Sequence, residues 1–420
     1  MPRRKTIVPR QPAQRGEQLA RLKNLKTAIS AHAFVRATPT MFYEALSGKN
    51  GKALPDGPPI WISGDCHVEN LGAVGDARGV ASVEMNDFDE AVINNPAFDV
   101  LRLALSFEMA SRAAGLNGLD LFAALGAIVG GYADSLESRA NETPAEIDSA
   151  PPRIEAMFKM AIARSQKALL TKRAAGKTHA RFFPLGAKYW PLTKSEKDLI
   201  KKLIDEAVVR SVVTTLAGRH PDSTVELVDA AFRIAGTSSL GCWRAAALVR
   251  VTEPTSAAKP TTTGGAAGAS EHDVFRILDI KEALPLHAPK LAKHKIPDDE
   301  ADRVIAGALL LAPYLGHRMV ASAIDGKRVV VHELMPQDEK ICLDKIKASE
   351  SLAIGRYLGA VVGRAHARQL DKSDAKSWRA AVLEKADKNR CPEWLWDGLV
   401  HLAATHEGAY LAHCREVSSS

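Results

Sequence analysis

The amino-acid sequence predicts an α+β, two-lobed fold, and three observations carry that prediction. Apolar residues recur at helical spacing at both ends of the chain, with Leu19, Leu22, Leu25 and Ile29 near the start and a helical stretch over 349–369 near the end. Short apolar segments bounded by turn residues cluster between residues 228 and 340, as the strands of a sheet do. Polar residues able to do chemistry stand directly after two short strands nearer the start, at Asp65 to Asn70 and at Asp87 to Asp89. The chain has 420 residues, 46% of them apolar and 25% charged, which suits a globular protein with a sizeable core and excludes a disordered, collagen-like or disulfide-stapled one.

Residues 1–16, with Pro2, Pro9 and Pro12, read as a flexible basic arm whose deletion leaves ligand binding intact. Residues 17–59 form an N-terminal helical segment that breaks at Asp56-Gly57-Pro58-Pro59. Residues 60–227 open with the strand Ile60-Trp61-Ile62, a turn over 75–79 and a second strand over 80–85; helical periodicity follows over 96–146 and again over 155–217. Residues 228–340 are β-rich, with strands over 243–251 and 274–281 and a hairpin turning at Asp325-Gly326. A helix over 298–311 lies between them, acidic in its first turn as the helix dipole favours. The Thr, Ala, Gly and Pro content of 252–270 reads as a mobile loop. Residues 341–420 return to helix and complete the large lobe, and there is no tandem repeat.

The formal net charge is +7, and residues 1–30 alone account for it, so the body of the chain is neutral. From Arg164 to Lys202 there are eleven Lys and Arg against Glu196 and Asp198, with Phe182, Phe183, Tyr189 and Trp190 interleaved. That stretch suits a nucleic-acid or polyanion surface and equally the solvated face of a helix; the neutral body argues against nucleic acid as the main partner. Cys66, Cys242, Cys342, Cys391 and Cys414 are scattered without zinc or redox spacing, which points to a reducing, cytoplasmic setting. The apolar run over 306–315 is about half of the ~20 residues a bilayer span needs, so no membrane partner is expected.

Asp65, Asn70, Asp87 and Asp89 form a candidate site. A hard cation such as Mg2+ takes oxygens from one or two carboxylates and leaves room for phosphate and water, which suits Asn70 and Asp87. Asp65 is then a carboxylate able to take a proton from an incoming hydroxyl. Gly236-Thr237-Ser238-Ser239-Leu240-Gly241, a glycine-bracketed turn between strands, can offer backbone N–H groups to an anion. The inward-facing Lys281 at a strand end needs an anionic partner. Taken singly, each also has a plain structural reading: local bonds in turns, an ordinary hairpin, a solvated Lys281–Glu282 pair.

Together these are the parts of a kinase-like phosphotransferase using ATP and Mg2+. Asp65-x-x-x-x-Asn70 has the catalytic-loop spacing, and Asp87-Phe88-Asp89 follows where the metal-binding aspartate is expected. The glycine loop would cover the phosphates, Lys281 would contact them, and His332-Glu333-Leu334-Met335 would be the hinge that takes adenine through backbone groups. The order is rotated: read as a circle, residues 232–369 precede residues 60–110, so the fold is expected to be circularly permuted.

The strings Gly64-Asp65-x-His67-x-Glu69-Asn70-x-Gly72, Asn86-Asp87-Phe88-Asp89-Glu90, Ala235-Gly236-Thr237-x-Ser239-Leu240-Gly241, Lys281-Glu282-Ala283 and Gly363-Arg364-Ala365-His366-Ala367-Arg368 resemble a bacterial family, domain of unknown function 2252, over about residues 20–410. Asp65 to Asn70 and Asp87 also resemble the aminoglycoside and choline phosphotransferase branch of the protein-kinase-like superfamily. The resemblance implies that Asp65 is the catalytic base or hydroxyl-orienting carboxylate. It gives Asn70 and Asp87, with Asp89 beside them, to magnesium, and Lys281 to the nucleotide phosphates. Asp99, in Phe98-Asp99-Val100-Leu101-Arg102, would brace the catalytic loop. The acceptor, a small molecule or a protein, would be read by residues 110–227.

Two departures keep alternatives open. Ser238 stands where a middle glycine is usual, and Ala306 where a helix glutamate would hold Lys281. The chain could therefore be a catalytically impaired pseudokinase, a nucleotide sensor or a nucleotidyl transferase on the same scaffold, or an anion- or nucleic-acid-binding protein using its basic stretches. Asp65-x-His67 also opens a metallophosphoesterase signature, but the later strings of that class are missing; His67 is taken as a hydrogen bonder within the catalytic loop. Gly355, Gly359 and Gly363, one turn apart among arginines, read as the close-packing face of a helix in a soluble protein.

Overall fold

The computed structural model describes residues 11–48, 53–137, 150–176, 181–216, 219–254, 273–343, 346–384 and 391–419. Residues 1–10 of the expected arm and 255–270 of the expected loop lie outside them.

The N-terminal segment folds into α1 (Arg15–Thr27), α2 (Ala31–Ala37) and α3 (Pro39–Ala45). Ser30 starts α2 by accepting the Ala33 N–H, and Pro39 opens α3 where no N–H is needed. Helix α1 begins inside the stretch expected to be an arm. Arg15 anchors it, donating to both oxygens of Glu196 at 2.8 and 2.5 Å and stacking on Phe232.

In the larger unit, β1 (Ile60–Ile62) pairs with β4 (Val92–Asn94). Strands β2 (Leu71–Gly75) and β3 (Ala81–Met85) form a hairpin, extended by β11 (Glu339–Lys340). Around them lie α4 (Ala97–Ala113), α5 (Gly118–Glu137), α12 (Ala348–Ala367), α13 (Lys372–Val382) and α14 (Glu393–Ser419). Helices α5 and α12 touch backbone to backbone: a Cβ on Gly359 would lie 1.9 Å from the Ile128 carbonyl oxygen, so the glycine stripe is a packing face, as expected. Contrary to the expectation from 306–315, helix α5 is long and apolar enough to cross a membrane by length and composition; here 67% of its apolar window is buried within the protein.

The smaller unit is a six-stranded antiparallel sheet in the order β5-β6-β7-β8-β10-β9, comprising β5 (Tyr189–Trp190), β6 (Thr224–Arg233), β7 (Arg244–Thr252), β8 (Asp273–Glu282), β9 (Met319–Ile324) and β10 (Lys327–Glu333). Between β8 and β9 come α10 (Glu300–Leu311) and α11 (Pro313–Gly316). Strand alternation sends Ala245, Ala247 and Val249 to one face, where α8 (Lys194–Asp205) and α9 (Ala207–Thr214) bury Ile200, Leu203, Val209 and Val213 against them. The other face turns Ala246, Leu248 and Ile277 toward Leu170 of α7 (Gln166–Arg173), which follows α6 (Pro152–Ile162). The boundary expected at 227/228 therefore moves: residues 189–216, and Leu19 of α1, pack with the sheet.

Candidate functional site

A cleft of about 490 Å³ lies between the six-stranded sheet and the β2–β3–β11 sheet. A smaller cavity of about 140 Å³ adjoins it, and the two share Asp87, Asp89 and Ser239. Asp65 and Asn70 line the smaller cavity, so four of the carboxylate and amide residues picked out in the sequence converge on one place. Its other walls include Lys23, Ala37, Pro39 and Thr40 from the N-terminal helices, not the 110–227 region expected to face an acceptor.

Asp65 sits on the connection from β1 to β2. Gly64 is required there: its φ is +75° and a Cβ would lie 2.1 Å from the Glu90 carbonyl oxygen. Asp99, on the first turn of α4, accepts the N–H groups of Ser63 at 2.8 Å and Gly64 at 2.9 Å and so holds the start of the segment that carries Asp65. A buried relay supports Asp99. Trp378 Nε1 donates to the Tyr132 hydroxyl at 2.7 Å, that hydroxyl donates to His366 Nδ1 at 2.9 Å, and His366 Nε2 donates to Asp99 Oδ2 at 3.2 Å. This gives His366 of the Gly363-to-Arg368 string a physical role.

Arg102, fully buried and one turn beyond Asp99, donates from Nε to Asp65 Oδ1 at 2.8 Å. Burial pushes the Asp65 carboxyl up to about 6, and Arg102 works against that rise. His67 Nε2 lies 3.9 Å from Asp65 Oδ2. Burial, with Arg36, Lys340 and Arg102 nearby, holds the imidazole well below its usual pKa, so His67 is neutral. Asn70 Nδ2 donates to the Asp65 carbonyl at 2.8 Å, which leaves its amide oxygen for another partner.

Lys281 Nζ lies 3.1 Å from Asp87 Oδ1 and 2.5 Å from Asp89 Oδ2. Burial disfavours the ammonium, but the two carboxylates outweigh it and hold its pKa above the ordinary lysine value. Burial would raise Asp87, yet Lys281 and Lys340 bring it below the carboxylate norm; Asp89 is raised by burial and by Asp87. The acidic residues of α10, Glu300 and Asp302, lie in its first turn, and the ion pairs of Lys281 among the described residues run to Asp87 and Asp89. Among the described residues no three His, Cys, Asp or Glu converge as a metal cluster. Asn70, Asp87 and Asp89 nonetheless line one cavity, and amide and carboxylate oxygens are the donor types a magnesium ion takes beside phosphate and water.

The glycine loop joins β6 to β7. Gly236 and Ser239 line the cleft, and Ser238 and Ser239 the smaller cavity; Thr237 and Gly241 line neither. Lysines of α1 hold its tip: Lys23 Nζ donates to the Ser238 carbonyl and Lys26 Nζ to the Gly236 carbonyl, both at 3.1 Å. The segment expected to be a hinge runs along the cleft. The Glu333 side chain is fully buried, accepts hydrogen bonds from Arg219 at 2.5 and 2.8 Å, has the Arg276 guanidinium 3.2 Å away as an ion pair, and does not line the cleft. His332, Leu334, Met335 and Pro336 do.

Sequence reasoning missed Arg102, Lys23, Arg244 and Asp279. Arg102 had a signal, since three residues after Asp99 puts it on the same face of α4, in a run that is otherwise apolar from Val100 to Leu105. Asp279 had one too, two before Lys281 and therefore on its face of the strand.

The chain matches the bacterial family described as "uncharacterized protein conserved in bacteria", domain of unknown function 2252, over residues 15–416, and belongs to it. No curated protein and no solved structure matches the chain.

Proposed function

We propose that this member of domain of unknown function 2252 is a Mg2+- and ATP-dependent phosphotransferase with a circularly permuted, kinase-like, two-lobed architecture, acting on a hydroxyl-bearing acceptor. The observation that carries the reading is the meeting of Lys281 with Asp87 and Asp89, brought from distant parts of the chain to the cleft under the glycine loop. The element order supports it. A glycine loop between two strands, a third strand bearing Lys281, a helix, two further strands and a crossing segment follow in the order of a kinase small lobe.

In this reading the nucleotide lies in the larger cleft and the acceptor in the smaller cavity. Magnesium, when bound by Asn70, Asp87 and Asp89, would neutralise charge on the phosphate oxygens. Lys281 moves its ammonium from the carboxylates to the phosphates. Asp65 Oδ2 orients the acceptor hydroxyl and takes its proton as the hydroxyl oxygen bonds to the γ-phosphorus. The bond from that phosphorus to the bridging oxygen breaks, and ADP leaves. Arg102 fixes the other Asp65 oxygen, and Asp99 holds the loop that carries it.

One observation favours a second reading. With no glutamate of α10 among the ion pairs of Lys281 in the described residues, the lysine is held by the would-be metal ligands, as suits a nucleotide sensor without turnover. Calorimetric titration of a non-hydrolysable ATP analogue with and without Mg2+, beside a γ-phosphate turnover assay, separates the two. Binding lost in Lys281→Ala and Asp87→Asn, with turnover lost in Asp65→Asn, supports the phosphotransferase. Binding without turnover supports the sensor. No magnesium-dependent binding in the wild type sinks both.

A further inference from the structure

The sheet face that roofs the cleft carries a row of cations. Arg244 on β7 lies opposite Lys281 on β8, and extending the β6–β7 register one residue past Phe232↔Ala245 brings Arg233 opposite Arg244. Directly opposed residues of antiparallel strands share a face. Neighbouring strands are ~4.8 Å apart, so the three side chains stand side by side over about 10 Å. Arg173, at the end of α7, reaches the same part of the cleft.

Counter-charge there is short. Asp87 and Asp89 already neutralise Lys281. Arg244 and Arg233 share a single carboxylate, that of the fully buried Asp279, with Arg244 Nε at 2.9 Å and Arg233 at 2.6 Å from Oδ1. Arg173 Nε is buried and has no hydrogen-bond partner among the described residues. His332, opposite Asp279 on β10, adds no charge, because burial lowers its pKa to about 3. Asp87 and Asp89 also act on Arg244, so the shortfall falls on Arg233 and Arg173. Burial and the neighbouring guanidiniums disfavour the Arg233 charge, and the two have one shared carboxylate near them in a partly dehydrated cavity, an arrangement that is costly until an anion completes it.

We propose that Arg173, Arg233 and Arg244 form a second phosphate subsite, next to the Lys281–Asp87–Asp89 station, which binds part of a polyphosphate without magnesium. Guanidinium forks suit phosphate oxygens, and Asp279 keeps two of them aligned. The two stations differ in sign. The Lys281 station holds two carboxylates and one ammonium and repels phosphate until a metal binds; the arginine station attracts it from the start. The inference rests on the nucleotide reading only in taking the polyphosphate to be a nucleotide's tail, and free inorganic polyphosphate has the same chemistry.

The test is calorimetric titration of the full chain in EDTA with inorganic tripolyphosphate, ATP and adenosine. The subsite predicts that tripolyphosphate and ATP bind and adenosine does not. Arg173→Gln, which removes no ion pair seen among the described residues, should weaken both roughly tenfold or more. Arg233→Gln is the second variant, with thermal unfolding as the check that each folds. If tripolyphosphate excludes ATP, the anion is the nucleotide's tail; if both bind together, it is a free polyphosphate. Absence of tripolyphosphate binding in EDTA, or undiminished binding in both variants, overturns the subsite. Tripolyphosphate binding with no Mg2+–ATP binding leaves the subsite standing and sinks the nucleotide reading.

Discussion

Arg102 Nε donates to Asp65 Oδ1 across 2.8 Å, so the carboxylate that faces the smaller cavity is pinned from behind by a buried guanidinium. The same arginine donates to the Val35 carbonyl at 2.7 Å and lies over the Phe42 ring, which ties the N-terminal helices to the loop that carries Asp65. Burial and Arg102 pull the Asp65 carboxyl in opposite directions, and burial wins.

A pH dependence follows. Asp65 accepts a proton only as the carboxylate, so transfer should fall as pH drops through about 6. Arg102→Gln removes the opposing charge, so the acid limb should move to higher pH. A pH–rate profile of the two proteins checks it; an unmoved limb in the variant would mean that another group sets the profile.

Lys281→Met leaves two neighbouring carboxylates unpaired in a site that is only partly exposed. The expected loss of stability at neutral pH is ~2 kcal/mol, below the figure for a fully buried pair because solvent still reaches these side chains. Magnesium should repair part of this loss by neutralising the same carboxylates. Thermal unfolding with and without Mg2+ should therefore show a larger metal-induced rise in Tm for Lys281→Met than for the wild type. Equal rises would argue that Asp87 and Asp89 do not bind the metal.

What was legible in the sequence is what has a local signature. Asp65, Asn70, Asp87 and Asp89 stand next to strand ends with glycines and turn residues around them, and they converge in one cavity. Strand β2, Leu-Gly-Ala-Val-Gly, was not legible: all five residues are buried, so alternation is lost, and two glycines mimic a loop. Glu333 ends a hairpin at the expected hinge, but its side chain points to Arg219, more than a hundred residues away, and such pairing leaves no local trace. Arg15 looked like part of a loose arm because its partner, Glu196, is equally remote. Truncation through Arg15 should accordingly lower the midpoint of thermal unfolding, because it removes the partner of Glu196.

Glu84 on β3 is buried, accepts the Tyr314 N–H at 3.1 Å, and has its carboxyl raised to about 7 by burial against the pull of Arg368. The folded state thus holds the proton more tightly than the unfolded chain, whose glutamate titrates near 4.5. The advantage of the protonated form is complete below about pH 4.5 and lost as pH rises through 7. Glu84→Gln keeps a neutral amide at every pH. It should be more stable than the wild type at pH 8, by up to ~3 kcal/mol, with the difference vanishing toward pH 4. Denaturant unfolding at the two pH values measures this, and equal gains at both would exclude titration of Glu84 as the cause.

The crossing of α5 and α12 links stability to the site. A Cβ on Gly359 would meet the Ile128 carbonyl oxygen at 1.9 Å, and one on Gly131 would meet the Arg356 carbonyl oxygen at 1.9 Å, so backbone faces backbone from both sides. Gly359→Ala must push the helices apart and should cost ~3 kcal/mol or more, at or beyond the usual upper end for overpacking, because no flexible side chain can give way. Gly118→Ala, at the start of α5 with nothing within 4 Å of its Cβ, is the control and should leave stability unchanged or slightly improved. The same crossing brings Tyr132 on α5 to His366 on α12, and through His366 to Asp99 and the Asp65 loop. Separation of the helices should therefore also weaken nucleotide turnover at temperatures where Gly359→Ala is still folded. Circular dichroism melting, with turnover measured well below the midpoint, reads both effects. A variant that melts early yet turns over normally when folded would confine the crossing to a structural role.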